Sequence, residues 1–592
     1  LICPTAAAAD LARRLAPALD AEITGRQGRV SAAPDVTPFA ETTAAIVAAF
    51  RAGRPVLAVC AAGIVVRALA PHLADKRAEP PVLALAEDGS AVVPLLGGHR
   101  GANDLARRIA AISGGLAAVT TAGEVALGVA LDDPPSGWRL ADPGPAKPVA
   151  AGLLAGDGAR VVVESGSGDW LAGLPAAPDG RWRITVSHRA GAVGDLLLRP
   201  PVLALGVGCE RDAAPAALIA HVRRALADAD LAPDAVALVA SIDVKADEPA
   251  VHALAAALGV AARFWSAEEL AREEPRLVTP SELVRREVGV AGVAEAAALA
   301  AVGPGGQLIL PKRVGDRVTC AVALASGDID PARVGRARGR LDVVGIGPGA
   351  RDLRTAGMAA VLEAAEHVVG YGLYLDLIAD LIGDRPTHAT GLGDEIGRVD
   401  RALALAATGA RVALVSSGDA GVYGLATLAC ERMAASADAA IGRVRLAVHP
   451  GLSAMFAAAA RVGAPLGHDF AAISLSDLLT PWTAIAARVR AAAEGDFVVA
   501  FYNPRSERRT DQLARALAIL AERRPPDTPV LLARAVARPD EELRVTRLAD
   551  LDPSRVDMLT LVIVGASSTR AVARPDGPMV WTPRGYAAKA TP

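Results

Sequence analysis

Cysteine, an excess of either charge and long apolar runs are all scarce in this 592-residue chain. The five cysteines (Cys3, Cys60, Cys209, Cys320 and Cys430) lie far apart with no C-x-x-C pair. That spacing argues against a zinc site and a disulfide framework alike, and predicts a reducing, cytoplasmic setting. Lys+Arg 62 against Asp+Glu 65 leaves a formal net charge of -3, so no global field gathers nucleic acid or an anionic membrane surface. A local basic pocket is still compatible with that balance. Residues 1–21 interrupt their alanines with Asp10, Arg13 and Arg14, so neither a signal peptide nor a membrane span is expected. The first residue is leucine, which suggests a trimmed or partial start. No cluster of metal-ligating side chains stands out, and no protein-held metal is expected.

Hydrophobic residues, with alanine the largest single share, make up 52% of the chain and charged residues 21%, a composition of folded globular domains. The length exceeds what one core supports and predicts two to four domains. Strand-like apolar runs alternate with alanine-rich helical stretches, which points to a multidomain α/β protein. Gly and Pro cluster at 133–148, 175–180 and 326–340. These breaks divide the chain into 1–130, 131–200, 201–326, a linker at 327–340 and a final unit at 341–592.

In the final unit, residues 341–349 (L-D-V-V-G-I-G-P-G) read as a buried strand entering a glycine-rich turn. Glycines there admit a close ligand, and a tight strand-to-helix turn also needs them for steric reasons alone. The spacing G-x-G-x-G, and the absence of an acidic residue where the second strand ends in H-V-V-G-Y (367–371), depart from the nicotinamide fingerprint. Residues 412–424 (V-A-L-V-S-S-G-D-A-G-V-Y-G) open from a strand into a loop carrying Asp419 and Tyr423. Asp419 alone also fits a helix cap. Residues 448–454 (V-H-P-G-L-S-A) again join a strand to a helix.

Further runs are G-A-P-L-G-H-D-F (463–470), I-S-L-S-D-L-L-T-P-W (473–482), D-F-V-V-A-F-Y-N-P (496–504) and D-M-L-T-L-V-I-V-G (557–565). Together the motifs resemble the tetrapyrrole methyltransferases of cobalamin biosynthesis. The S-L-S-D-L-L-T-P-W run, the Y-N-P-R-S run and the closing T-P-R-G-Y (582–586) are similar to the branch that methylates precorrin-3B at C-17.

The resemblance implies two α/β subdomains, usually in a homodimer, holding S-adenosylmethionine in the cleft between them. Carried over motif by motif, Pro348, Gly418, Asp419, Val422, Tyr423, Ser453, Ala454, Tyr502, Asn503 and Thr560 line the cofactor site. The implied partner is a small tetrapyrrole rich in carboxylates, which arginines bind in bidentate fashion. Arg505, Arg508, Arg509, Arg534, Arg538 and Arg584 are the candidates. By the family's chemistry, C-17 methylation accompanies ring contraction to precorrin-4; the cobalt-containing analogue or another ring carbon is the alternative. The family turn reads G-x-G-P-G-D, whereas Ala350 stands here with Asp352 two residues later, so the base is unassigned.

In the first half, V-V-P-L-L-G-G-H-R-G-A-N-D (92–104), A-L-G-V-G-C-E (204–210), S-I-D-V-K-A-D-E-P (241–249) and V-G-V-A-G-V-A-E (288–295) recur at strand-to-helix junctions. Asp247, Glu248 and Pro249 suit a helix start, and His99 suits either a structural hydrogen bond or an anionic ligand. These motifs resemble the cobalamin-pathway proteins CbiG, the cobalt-precorrin-5A hydrolases, and the shorter CobE. The resemblance implies lactone opening with release of acetaldehyde, with His99, Lys245 and Glu248 as candidates. A non-catalytic module that escorts the macrocycle is the alternative.

Overall fold

The computed structural model describes residues 1–19, 21–31, 36–74, 79–120, 126–506 and 509–586, without the side chain of His99. The chain divides into two compact units, Leu1–Ala337 and Arg338–Pro592.

Among the described residues the first unit holds three sheets. A seven-stranded sheet runs in the order Val36–Phe39, Ile23–Arg26, Ile2–Cys3, Val56–Ala58, Val82–Leu85, Ala91–Leu96, Leu116–Ala117. The first five strands are parallel and Ala91–Leu96 turns antiparallel to them. A four-stranded sheet (Arg139–Leu140, Leu196–Arg199, Trp182–Val186, Ala159–Val163) accounts for the weakly patterned middle of the sequence.

The third sheet runs Ala261–Trp265, Val236–Ile242, Leu203–Cys209, Val318–Leu324, Gln307–Val314. Its strand V-A-L-V-A-S-I (Val236–Ile242) is buried along its whole length, as a parallel strand covered on both faces must be. Small residues set how closely the helices approach. A Cβ on Gly206 would sit 1.9 Å from the Ala294 carbonyl oxygen, so the alanine-rich helix Val293–Val302 rests directly on the strand Leu203–Cys209.

The expected linker at 327–340 is not loose. Ile329 is buried and its N–H bonds Pro201 O, Asp328 accepts from Trp138 Nε1 at 2.7 Å, and Arg336 exchanges both backbone hydrogen bonds with Phe264. Most of this stretch therefore belongs to the first unit, which ends at Ala337. Its Gly, Asp, Arg and Pro content resembles a linker because its contacts are made to residues far away in sequence.

The second unit has two main sheets. The first is wholly parallel, in the order Thr387–Thr390, His367–Tyr371, Arg411–Ser416, Arg340–Gly345, Arg445–His449. The second is mixed, in the order Phe470–Ser474, Val498–Tyr502, Thr560–Val564, Pro529–Arg534, Glu542–Arg547. A small sheet of Gly463–Ala464, Met579–Trp581 and Arg570–Val572 completes the unit. Phe501 is fully buried on the strand Val498–Tyr502 of the second sheet. Truncating such a residue to alanine costs about 3–5 kcal/mol.

Candidate functional site

Ligands of open α/β sheets bind where parallel strands end, and in the second unit three loops converge at that edge. Gly347 and Gly418 exchange backbone hydrogen bonds of 3.1 and 2.9 Å, which ties the first loop to the second. The third loop packs against both, because a Cβ on Gly451 would stand 2.1 Å from Gly418 O and 2.6 Å from Gly345 O. Gly418 also has φ +64, in the left-handed region that glycine adopts without strain.

Asp419 fastens this arrangement. Its carboxylate accepts from Gly421 N at 2.8 Å and from Gly451 N at 3.1 Å, one bond within its own loop and one across to the next. Val422, half-buried, donates its N–H to Asp419 O at 3.3 Å. Tyr423 has φ +54 and reaches the second sheet, donating to Ala472 O at 2.8 Å and accepting from Ser474 N at 3.1 Å. Its ring centroid is 5.2 Å from that of Tyr502.

Tyr502 hydrogen-bonds Ser453 Oγ and accepts from Met455 N at 3.3 Å, at the start of the helix Ala454–Val462. Burial pushes its phenol pKa up, opposed by the Ser453 bond. Asn503, with φ +49, donates to Ser474 Oγ at 3.2 Å, and its carbonyl accepts from Arg509 at 3.0 Å. Antiparallel pairing of Phe501 with Val562 brings Thr560 level with Asn503. Thr560 Oγ1 donates to Asp557 at 2.6 Å.

The structure thus brings the loops of the first sheet at Gly347, 418–423 and 451–454 together and links them to the second sheet, where Thr560 stands level with Asn503. Tyr423 reaches from the first sheet to the second and Tyr502 from the second to the first. Gly345 and Gly451 pack backbone against backbone, whereas a Cβ on Gly418 would meet nothing nearer than Ser453 and Ala454 at 4.0 Å, so the bare backbone there forms a cradle with room beside it. Such a cradle fits a flat, polar ligand such as the adenosyl group of S-adenosylmethionine.

The arginines are distributed differently. Arg538 Nε donates to Pro348 O at 3.3 Å, next to two alanines in left-handed conformation, Ala535 (φ +48) and Ala537 (φ +61). Arg534 is held by Asp557 at 2.8 Å and Asp540 at 3.3 Å, and Arg505 by Pro553 O at 3.1 Å. These three have donors committed within the protein. The partners lie up to 190 residues away, so no local signal in the sequence marked them. Arg509 is buried and shapes the Asn503 loop; Arg584 is exposed, and Arg508 lies outside the described residues. Asp352 is exposed after the turn.

In the first unit, the strands Leu203–Cys209 and Val236–Ile242 end beside a charged cluster. Glu248 is fully buried, and neither carboxylate oxygen has a hydrogen bond among the described residues. Its nearest cations are Arg211 at 3.5 Å and Lys245 at 3.8 Å, and Arg211 also pairs with Asp247 at 2.7 Å. Burial raises the Cys209 thiol, with Lys245 and Glu248 acting in opposite directions. The structure brings Lys245 and Glu248 together and adds Arg211, which sequence reading missed. His99 sits in a turn of a different sheet, with its side chain outside the described residues. Among the described residues no group of three or more His, Cys, Asp or Glu is placed to hold a metal ion. No described helix is long and apolar enough to cross a membrane.

Comparison with known proteins matches residues 340–552 to the tetrapyrrole (corrin/porphyrin) methylases. Residues 44–124 match the N-terminal domain of cobalamin synthesis G proteins, and residues 203–323 match their C-terminal domain. A probable cobalt-factor III C(17)-methyltransferase of Salmonella typhimurium is 48% identical over 246 residues, 42% of this chain and 99% of that protein. A precorrin-3B C(17)-methyltransferase of a Sinorhizobium species is 45% identical over 250 residues, 42% of this chain and 98% of that protein. Among solved structures, the methyltransferase CobJ is 44% identical, covering 41% of this chain and all of that one, with a TM-score of 0.39. The cobalamin-pathway protein CobE is 38% identical over 21% of this chain and 89% of that one, with a TM-score of 0.20.

Proposed function

The chain belongs to the tetrapyrrole methylases of cobalamin biosynthesis and joins to that enzyme the two domains of the G proteins, and from this we propose that it methylates precorrin-3B at C-17 with ring contraction to precorrin-4. The observation that carries the cofactor assignment is the Asp419 clamp, which fixes the Gly418 and Gly451 loops as a glycine cradle. S-adenosylmethionine supplies an electrophilic methyl group on a sulfonium. Backbone of the Pro348, Gly418, Val422 and Ala454 loops would hold it, with Asp419, Tyr423, Ser453, Tyr502, Asn503 and Thr560 completing the walls. The protein's task in an in-line displacement is alignment and exclusion of water. Exposed Arg584 would meet the substrate's carboxylates, together with the donors that Arg505 and Arg538 leave unused, while Arg534 is held by Asp557 and Asp540.

The relatives' names divide between the cobalt-free and the cobalt-containing substrate, so the assay runs both. The working form is a cytoplasmic homodimer. For the first unit we propose hydrolysis of the cobalt-precorrin-5A lactone, with escort of the macrocycle as the alternative. The cluster around Glu248 supports hydrolysis. There a buried carboxylate lacking hydrogen bonds would take the proton of an attacking water, and Lys245 and Arg211, the cations nearest it, would stabilise the oxygen that gains charge.

Titration of S-adenosylhomocysteine into the whole chain tests the cofactor site. Asp419→Ala removes both loop clamps and should weaken binding by about tenfold or more, as loss of charge-assisted bonds of ~1.5–3 kcal/mol each implies. Unchanged affinity would remove Asp419 from the site. Glu248→Gln should abolish acetaldehyde release from the lactone and leave S-adenosylhomocysteine binding intact; release by the variant at the wild-type rate would remove Glu248 from the reaction, and no release by the wild-type chain would favour escort.

A further inference from the structure

We propose that Leu478 and Leu479 form an apolar ledge that seats the flat face of the tetrapyrrole substrate beside the methyl-transfer cleft, an inference that rests on the methyltransferase reading above. These two side chains are 84% and 99% exposed, yet the loop carrying them is fastened on both sides.

Before them, Leu475 is fully buried and its N–H bonds Tyr502 O at 2.9 Å. The Ser476 N–H donates to Ser474 Oγ at 3.3 Å, its hydroxyl accepts from Arg509 at 3.4 Å, and Asp477 accepts from Gln512 at 2.7 Å. After them, the helix Trp482–Glu494 begins with the Trp482 ring 4.2 Å from the Arg515 guanidinium carbon. A loop so anchored cannot easily fold its leucines back into the core, so they stay presented to solvent.

The anchors also fix where the leucines stand. Ser474 accepts from Asn503 and gives its N–H to Tyr423, and Tyr502 takes the N–H of Leu475. The ledge therefore rises from the residues that wall the cofactor cleft, on the same edge of the second sheet. Its size selects the occupant. A stable protein interface buries about 800 Å² per partner, far more than two leucines bounded by exposed Asp477 and Pro481 provide. A macrocycle has a flat apolar face of suitable width and carries its carboxylates at the periphery, where the leucines do not reach.

The test is equilibrium binding of uroporphyrin III, an air-stable tetrapyrrole polycarboxylate, to the whole chain, alongside methylation of precorrin-3B and cobalt-factor III. The Leu478→Ser/Leu479→Ser double variant should bind the porphyrin at least tenfold more weakly and raise KM for the corrinoid similarly. S-adenosylhomocysteine affinity should stay within twofold and the sedimentation coefficient unchanged. Leu478→Met/Leu479→Met should restore porphyrin binding. Porphyrin affinity and KM equal to wild type would overturn the ledge, as would loss of a dimer in the serine variant, which would assign the leucines to a second copy. If neither corrinoid is methylated, the methyltransferase reading fails while the porphyrin comparison still decides the ledge.

Discussion

The tightest constraint at the scale of single residues is the contact of Gly451 with Gly418 and Gly345. A methyl group at 451 would meet backbone carbonyls, which cannot swing away as a side chain can. Gly451→Ala should cost about 1–3 kcal/mol, as overpacking does, and should lower S-adenosylhomocysteine affinity by spreading the loops. Thermal melting with and without the ligand separates the two effects. The cysteines give a different readout. Burial raises Cys3 to about 11 and Cys320 to about 12, so the folded state favours their protonated thiols. That contribution is complete below the ordinary value of 9.0 and is lost as pH rises through 11 to 12. Cys320→Ala should flatten the alkaline limb of a stability-versus-pH profile measured by urea unfolding. Thiol labelling of the native chain at pH 8 should find exposed Cys430 and spare Cys3 and Cys320.

Between elements, the central link in the second unit is Tyr423, whose hydroxyl ties the loop after Arg411–Ser416 to the strand Phe470–Ser474. Tyr423→Phe keeps the ring beside Tyr502 and removes both bonds, so a loss of about 1–2 kcal/mol is expected. Amide exchange at Ser474 should accelerate as the freed N–H opens. The strands and their glycine loops were legible in the sequence, because apolar runs ending in G-P-G, G-D-A-G and P-G can be read locally. The reach of Tyr423 was not, since its partners lie 49 and 51 residues on. Nor was the commitment of Arg534 to Asp557 and Asp540, which turns a candidate carboxylate binder into a brace for Thr560. Glu248 was legible as a helix start; its burial without a hydrogen bond shows only in three dimensions.

For the whole molecule, the division at Ala337 predicts that the halves fold when separated. A fragment starting at Arg338 should bind S-adenosylhomocysteine within twofold of the full chain, and one ending at Ala337 should not bind it at all; calorimetry on both fragments checks this. The buried Ile329 and the Phe264–Arg336 pairing mean that a cut made at 326 instead should destabilise the first unit, seen as a lower urea midpoint. The all-parallel sheet has a further consequence for synthesis. Its strand Arg340–Gly345 lies between Arg411–Ser416 and Arg445–His449, so the last flank is translated about one hundred residues after the strand it must cover. At about 5–20 residues per second, an apolar strand leaves the ribosome roughly 5–20 s before its second neighbour exists. The second unit is therefore most open to misassembly in that interval, whereas every strand of the first unit has already been made.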